Sequence, residues 1–360
     1  MSLATKYRPN TIDEIVGQEH IKRYLTNATK NDKIGSTYLL SGNRGTGKTS
    51  SARILALIIN CGLEYDVNSD LCQSIINGVN QDIVEVDAAS NTSIDNIREI
   101  RKLAQTSPVS CKKRVFIIDE VHCLRSAAAA ALLHIIEEPP FSTVFILATT
   151  EEQKIPDTIR SRCIELSFKN IKAKEITERL SFICKNEKIS LEDEKSLHLI
   201  STSAKGSLRD AISKLELIIN STDNKEIKKA DILSYIVRGG LGFFCDLLEC
   251  VYNKDYKKSI ILVRVLFSNG GEPKDIFEEI LEDLHSMMIS KIINSHKHLA
   301  IEESIQQRWL DLRDSISLES MKGMIEEVIL YSGKVQDSIR PDILLDCCIV
   351  SMIKKNEIKS

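Results

Sequence analysis

Gly42-Asn43-Arg44-Gly45-Thr46-Gly47-Lys48-Thr49 constrains this chain more than any other stretch, because it satisfies G-x-x-x-x-G-K-[ST] at every position. It follows the apolar run Tyr38-Leu39-Leu40-Ser41-Gly42 and opens the helix-like segment Thr49 to Leu57. Strand, glycine-rich loop and helix in that order form a cradle for polyphosphate. The glycines let backbone N–H groups turn inward at the positive end of a helix. Lys48 can reach the terminal phosphates, and the Thr49 hydroxyl can ligate Mg²⁺. The candidate phosphate-binding set is Gly42, Gly45, Thr46, Gly47, Lys48, Thr49 and Ser50, with ATP and Mg²⁺ as the expected ligands.

From Ser36 to about Phe168, short apolar runs alternate with helical stretches, which predicts an α/β fold with a parallel sheet covered by helices. One run, Val115 to Ile118, ends in Asp119-Glu120, so two carboxylates reach the C-terminal edge of the sheet, where ligands of such sheets bind. Asp119 is assigned to Mg²⁺, and Glu120 to orienting and polarising the attacking water, which makes the expected reaction hydrolysis. Another run, Val144 to Ala148, ends in Thr149-Thr150; Thr150 is favoured as the hydroxyl facing the phosphates, although alternation leaves the choice open. A helix is expected over Arg125–Glu138, capped by Ser126 and stopped by Pro139-Pro140.

At 360 residues the chain exceeds the roughly 250 that one core usually supports, so several domains are expected. Past about Asn170 helical periodicity replaces the strand pattern. The expected division is a P-loop domain over 1–170, a small helical lid over 171–237 and a helical domain over 238–360. No segment has the apolar length of a membrane span, and Met1 to Asn10 lacks the apolar stretch of a secretory signal, so a cytoplasmic protein with reduced thiols is expected. A formal charge of −3 argues against a generally basic nucleic-acid coat, while leaving room for a local positive surface.

The ordered motifs together resemble the AAA+ clamp-loader ATPases, specifically the gamma/tau family of bacterial DNA polymerase III. They are Lys6-Tyr7-Arg8-Pro9, Val16-Gly17-Gln18-Glu19-His20, Val86-Asp87-Ala88-Ala89-Ser90, Asp119-Glu120-Val121-His122, Ala131-Leu132-Leu133, Glu137-Glu138-Pro139-Pro140, Leu147-Ala148-Thr149-Thr150, Ser161-Arg162-Cys163 and Gly206-Ser207-Leu208-Arg209-Asp210-Ala211. They cover about residues 4–215. The resemblance implies that Arg8, Pro9 and Val16 surround the nucleotide, and that Arg209 reaches the phosphates from the lid. It implies that Arg162 acts as an arginine finger in a neighbouring subunit's site, and that the last domain is an oligomerising collar. Implied partners are other clamp-loader subunits in a hetero-pentamer, a ring-shaped sliding clamp and primer–template DNA, with no membrane. DNA would be gripped at helix N-termini, for which Thr92 and the helix from Ser93 to Lys102 are best placed, with Arg98, Arg101 and Lys102 supplying charge. A merely solvated helix face is the competing reading of those charges.

Some positions depart from the family pattern. Relatives often carry basic residues where Asn91 and Ser93 stand, and a lysine where His134 stands. Of four zinc-binding cysteines common in the family only Cys61 and Cys72 remain, and two thiolates cannot close a tetrahedral site, so no zinc is expected. Cys347-Cys348 reads as core packing. The chain ends after the expected collar, so the helicase and polymerase contacts of a longer tail are not expected. Alternatives within the fold are a replication factor C-like small subunit and a non-motor assembly subunit; intact Lys48, Thr49, Asp119 and Glu120 weigh against the latter.

Overall fold

Strand side chains alternate between two apolar layers, and this builds the first part of the molecule in the computed structural model. The structure describes residues 2–90, 94–193, 196–222, 226–228, 232, 240–268, 272–295, 303–335 and 338–356. The chain divides into two units, Met1–Leu233 and Ser234–Ser360.

In the first unit a short helix α1 (Leu3–Lys6) and α2 (Glu19–Lys30) precede β1 (Thr37–Gly42) and α3 (Lys48–Cys61). Then come α4 (Asp70–Ile76), β2 (Ile83–Asp87), α5 (Ile94–Ala104), β3 (Arg114–Asp119), α6 (Ser126–Glu137), β4 (Thr143–Thr149), α7 (Asp157–Arg160) and β5 (Ile164–Phe168). The five strands pair in parallel in the order β2-β3-β4-β1-β5.

Because successive strand residues face opposite sides, Tyr38, Leu40, Val115, Ile117, Val144 and Ile146 pack beneath α2 and α3 through Ile21, Leu25, Ala52 and Leu55. Leu39, Phe116, Ile118, Phe145 and Leu147 pack on the other side against Ile97 and Ile100 of α5 and Leu132 and Ile135 of α6. Phe116 and Phe145 stack across neighbouring strands with centroids 5.2 Å apart. Burial on both faces explains why these strands read as near-continuous apolar runs.

The Arg125–Glu138 expectation needs a correction at the cap. Ser126 is the first helical residue, and Arg125, with extended backbone, is the N-cap with no side-chain cap bond.

The helical remainder of this unit contains α8 (Ala173–Glu187), α9 (Ser196–Ser203) and α10 (Leu208–Ser221). It also holds a parallel ladder of β6 (Ser190–Leu191) with β7 (Glu226–Ile227), a pairing too short to leave a periodicity. Ser207 caps α10 by accepting a bond from Asp210 N–H.

The second unit is helical among its described residues: α11 (Gly240–Tyr252), α12 (Tyr256–Ser268), α13 (Pro273–Ile293), α14 (Glu303–Ser315), α15 (Leu318–Ser332) and α16 (Pro341–Lys355). Its core gathers Phe244, Phe277, Trp309, Met324 and Met352. Cys348 lies in this core, but Cys347 is exposed, since neighbours on a helix point about 100° apart. Core packing therefore holds for one of the two. Among the described residues no helix is long and apolar enough to cross a membrane.

Candidate functional site

A cavity of about 750 Å³ lies at the C-terminal edge of the sheet in the first unit. It is lined by the loop residues Gly45, Thr46, Gly47, Lys48, Thr49 and Ser50 with Asp119, Glu120 and Thr150 from the strand ends. Arg8, Pro9 and Val16 reach it from the N-terminal segment, and Arg209 from α10. Gly42 ends β1 beneath the loop.

The loop holds its shape through its own backbone. Gly47 at the N-cap of α3 has φ of 103° and Gly45 has φ of 75°, both in the region that side chains resist. A Cβ added at Gly45 would fall 1.9 Å from Ser207 Oγ, so a side chain there is excluded twice over. Lys48 Nζ donates to the carbonyls of Gly42 at 2.6 Å and Asn43 at 2.9 Å, and burial pulls its pKa down from the usual lysine value. Leu208 N–H donates to Gly45 O at 3.0 Å, tying the first turn of α10 to the loop.

The strand ends supply the acidic wall. Thr49 Oγ1 donates to Asp119 Oδ2 at 2.6 Å. Glu120 lies one residue past β3 with φ of 49°, a left-handed conformation unusual for a non-glycine residue. Its Oε2 accepts from Thr150 Oγ1 at 2.9 Å and Thr150 N–H at 3.2 Å. Thr149, fully buried, instead places its hydroxyl 3.0 Å from His122 Nδ1.

Not every candidate converges on the cavity. Arg162 lies outside its lining, exposed, with Nη2 2.8 Å from Glu137 Oε1 and Nη1 donating to Thr158 O at 2.8 Å. On α5 the exposed Arg98 pairs with Asp95 at 3.0 Å, and Arg101 and Lys102 lie in the last turn, away from the helix N-terminus. Thr92, like Asn91 and Ser93, lies outside the described residues.

Other residues join the site without having been singled out. Asp87, Arg179, Ile212 and Glu216 line the cavity. Buried Gln18 bonds Lys169 in both directions and Thr46 O in the loop, bracing the loop against the end of β5. The N-terminal segment is fastened to α8 by Glu187, which accepts from Lys6 Nζ at 2.6 Å and Tyr7 Oη at 2.5 Å, while Arg179 donates to Tyr7 O at 3.0 Å. Burial, with the Glu187 bond, pushes the Tyr7 phenol up to about 12. The motifs that contain Lys6, Tyr7, Gln18 and Asp87 were the available signals for those residues; Arg179, Glu187, Ile212 and Glu216 join them only through the fold.

Cys61, the last residue of α3, and Cys72 of α4 have Sγ atoms 3.1 Å apart, in a small apolar cluster that also packs Cys111. Burial, then the Cys72 contact, pushes the Cys61 thiol up to about 12, which favours the neutral form over the thiolate that binds metal. Among the described residues no group of three or more His, Cys, Asp or Glu side chains is placed to hold a metal ion.

Comparison with known proteins agrees with this architecture. Residues 17–172 match the family described as DNA polymerase III, delta subunit; 175–222 match the DNA polymerase III clamp loader subunit, ATPase lid domain; and 230–359 match DNA polymerase III subunits gamma and tau domain III. DNA polymerase III subunit gamma of Buchnera aphidicola from Acyrthosiphon pisum is 34% identical, over 96% of this chain and 91% of its own length. The subunit gamma from the Baizongia pistaciae strain is 38% identical over 82% and 80% of the two chains. Subunit tau of Bacillus subtilis is 33% identical over 96% of this chain, which spans 62% of that protein. Among solved structures, the Thermotoga maritima RuvB Holliday junction branch migration motor has a TM-score of 0.50 at 22% identity, covering 68% of this chain and 79% of its own; it is a likeness of fold alone. With a parallel sheet, a P-loop, an ATPase lid and domain III in order along its length, the chain belongs to the DNA polymerase III gamma/tau family of clamp-loader ATPase subunits.

Proposed function

We propose that this chain is the ATP-hydrolysing motor subunit of a bacterial DNA polymerase III clamp loader, opening a sliding clamp and leaving it on primed DNA. The observation that carries the reading is the convergence of Lys48, the Thr49–Asp119 pair, Glu120 and Thr150 on one cavity. A subunit that only held an assembly together would have no use for that complete set.

The residues divide the work by chemistry. The backbone of Gly45 to Lys48 and the Lys48 ammonium hold the phosphates, while Arg8, Pro9 and Val16 enclose the rest of the nucleotide. Thr49 Oγ1 and Asp119 Oδ2, 2.6 Å apart, form a hard oxygen pair suited to Mg²⁺, which when bound offsets phosphate charge. Glu120 orients and polarises the attacking water, and Thr150 fixes that carboxylate from the next strand. Arg209 reaches the phosphates from α10, so nucleotide contact is felt by the helical lid.

Arg162 serves the site of a neighbouring subunit, which its exposed place outside this cavity allows. The reading therefore includes a hetero-pentameric assembly in the cytoplasm, divided as ATPase domain 1–170, lid 171–237 and collar 238–360. DNA contact through Thr92, Arg98, Arg101 and Lys102 belongs to it as well. Zinc does not: two cysteine thiols, with no further ligand beside them among the described residues, are too few for a closed tetrahedral site.

The test is ATP turnover by the reconstituted complex with and without sliding clamp and primed DNA. Stimulation by both is expected, and Lys48→Ala should abolish ATP binding measured by calorimetry. Turnover indifferent to clamp, DNA and companion subunits would overturn the reading.

A further inference from the structure

We propose that His122 is a positioning residue for the hydrolytic step, holding the Glu120 carboxylate in place against β4; this rests on the reading of Glu120 as the water-orienting group. Glu120 has left the regular strand geometry of β3, so the strand does not aim its side chain. Its direction is set by what the carboxylate touches. Both bonds from Thr150 and the approach of His122 Nδ1, at 3.3 Å, fall on the same oxygen, Oε2. Among the described residues no side-chain donor is bonded to Oε1, which leaves that oxygen to face the water.

His122 is itself held on two sides. It lies in the short turn Val121–Cys123 with its side chain only 10% exposed, so it has little freedom to swing away. Nδ1 is 3.0 Å from the Thr149 hydroxyl, and Nε2 is 3.2 Å from Glu151 Oε1. Nδ1, hydrogen-bonded to Thr149, thus also lies within ion-pair distance of Glu120, and Nε2, 3.4 Å from Cys123 Sγ, within that of Glu151, so the imidazole sits wedged between the two carboxylates. Glu151 is anchored in turn by Lys154 at 2.8 Å. Without the ring, Glu120 would keep only the Thr150 contacts, and a carboxylate displaced by about 1 Å can lose about 100-fold in rate.

Asparagine and glutamine separate the two nitrogens, because the amide nitrogen of Asn overlays Nδ1 and that of Gln overlays Nε2. In the reconstituted complex with clamp and primed DNA, His122→Ala is expected to lower kcat by about 10- to 100-fold while KM and ATP affinity stay within about two-fold. His122→Asn should recover most of the lost kcat, and His122→Gln should stay as low as alanine. The proposal is overturned if the alanine variant keeps kcat within about two-fold, if glutamine recovers as well as asparagine, or if ATP affinity and melting temperature fall together with kcat. Glu120→Gln is the control for the underlying reading: full turnover by that variant sinks the hydrolytic role of Glu120 itself, whereas an inactive Glu120→Gln beside a fully active His122→Ala sinks only the role of His122.

Discussion

Arg162 and Glu137 form a 2.8 Å ion pair that joins the Ser-Arg-Cys tripeptide to the Glu-Glu-Pro-Pro segment. Both side chains are more than a third exposed, so the pair contributes under about 1 kcal/mol to stability. Its weight lies in where it holds the guanidinium. Arg162→Ala is expected to leave ATP affinity and melting temperature nearly unchanged, while lowering clamp- and DNA-stimulated hydrolysis in the assembled complex by on the order of 10³-fold. Calorimetry and a coupled ATPase assay read the two effects separately; full stimulated activity would remove Arg162 from the finger role.

Asp82 carries a different kind of prediction, because it is fully buried and pairs with buried Arg114 at 2.9 Å. Burial alone would raise its pKa, but N–H donors from Ser110, Val109 and Cys111 with the Arg114 guanidinium outweigh it and hold the carboxyl well below the usual carboxylate range. A depressed folded-state pKa means stability present above the unfolded value of about 3.9 and lost as pH falls through the folded one. Acid should therefore weaken the wild-type protein progressively below about pH 4. Asp82→Asn should cost about 3–5 kcal/mol at neutral pH, by leaving Arg114 buried without its counter-charge, and should lessen the acid dependence. Urea unfolding at several pH values measures both.

Gly45→Ala tests the loop. The left-handed backbone opposes any Cβ by about 1–2 kcal/mol, and the Ser207 hydroxyl occupies its place. ATP affinity should fall by at least tenfold in calorimetry. Adding Ser207→Ala should recover only part of it, since removing the hydroxyl relieves the 1.9 Å clash but leaves Ser207 Cβ at 3.0 Å and the backbone strain unchanged.

Thiol chemistry should separate the cysteines by position. Cys347 is exposed and should react rapidly with an aromatic disulfide reagent at pH 8, and Cys347→Ser should remove that fast phase. Cys61, whose thiol is pushed up by burial and by the Cys72 contact, holds little thiolate at that pH and should react among the slowest. A fast phase surviving in Cys347→Ser would contradict the assignment.

The sequence made the sheet and the phosphate loop legible because both are written in contiguous residues. Gly42 to Thr49 needs only the strand before it and the helix after it, and Asp119-Glu120 needs only the end of an apolar run. Residues whose roles depend on distant chain segments stayed hidden. Glu137 meets Arg162 across a strand and a helix, Glu187 meets Tyr7 from the C-terminal end of α8, and Asp82 collects donors from a loop that reads as unremarkable polar chain. The two-residue ladder of β6 with β7 failed for another reason: two residues cannot establish a period. Thr150 over Thr149 is the intermediate case, where the strand pattern narrowed the choice and only the positions of Glu120 and His122 distinguish the two hydroxyls.

The bond from Leu208 N–H to Gly45 O runs from main chain to main chain. No ordinary side-chain exchange at either position deletes that donor or that acceptor, and proline at 208 alone would strip the hydrogen away. A side-chain scan at Leu208, which also lines the cavity, would therefore report on packing around the nucleotide while only the imino acid removes the latch's own donor.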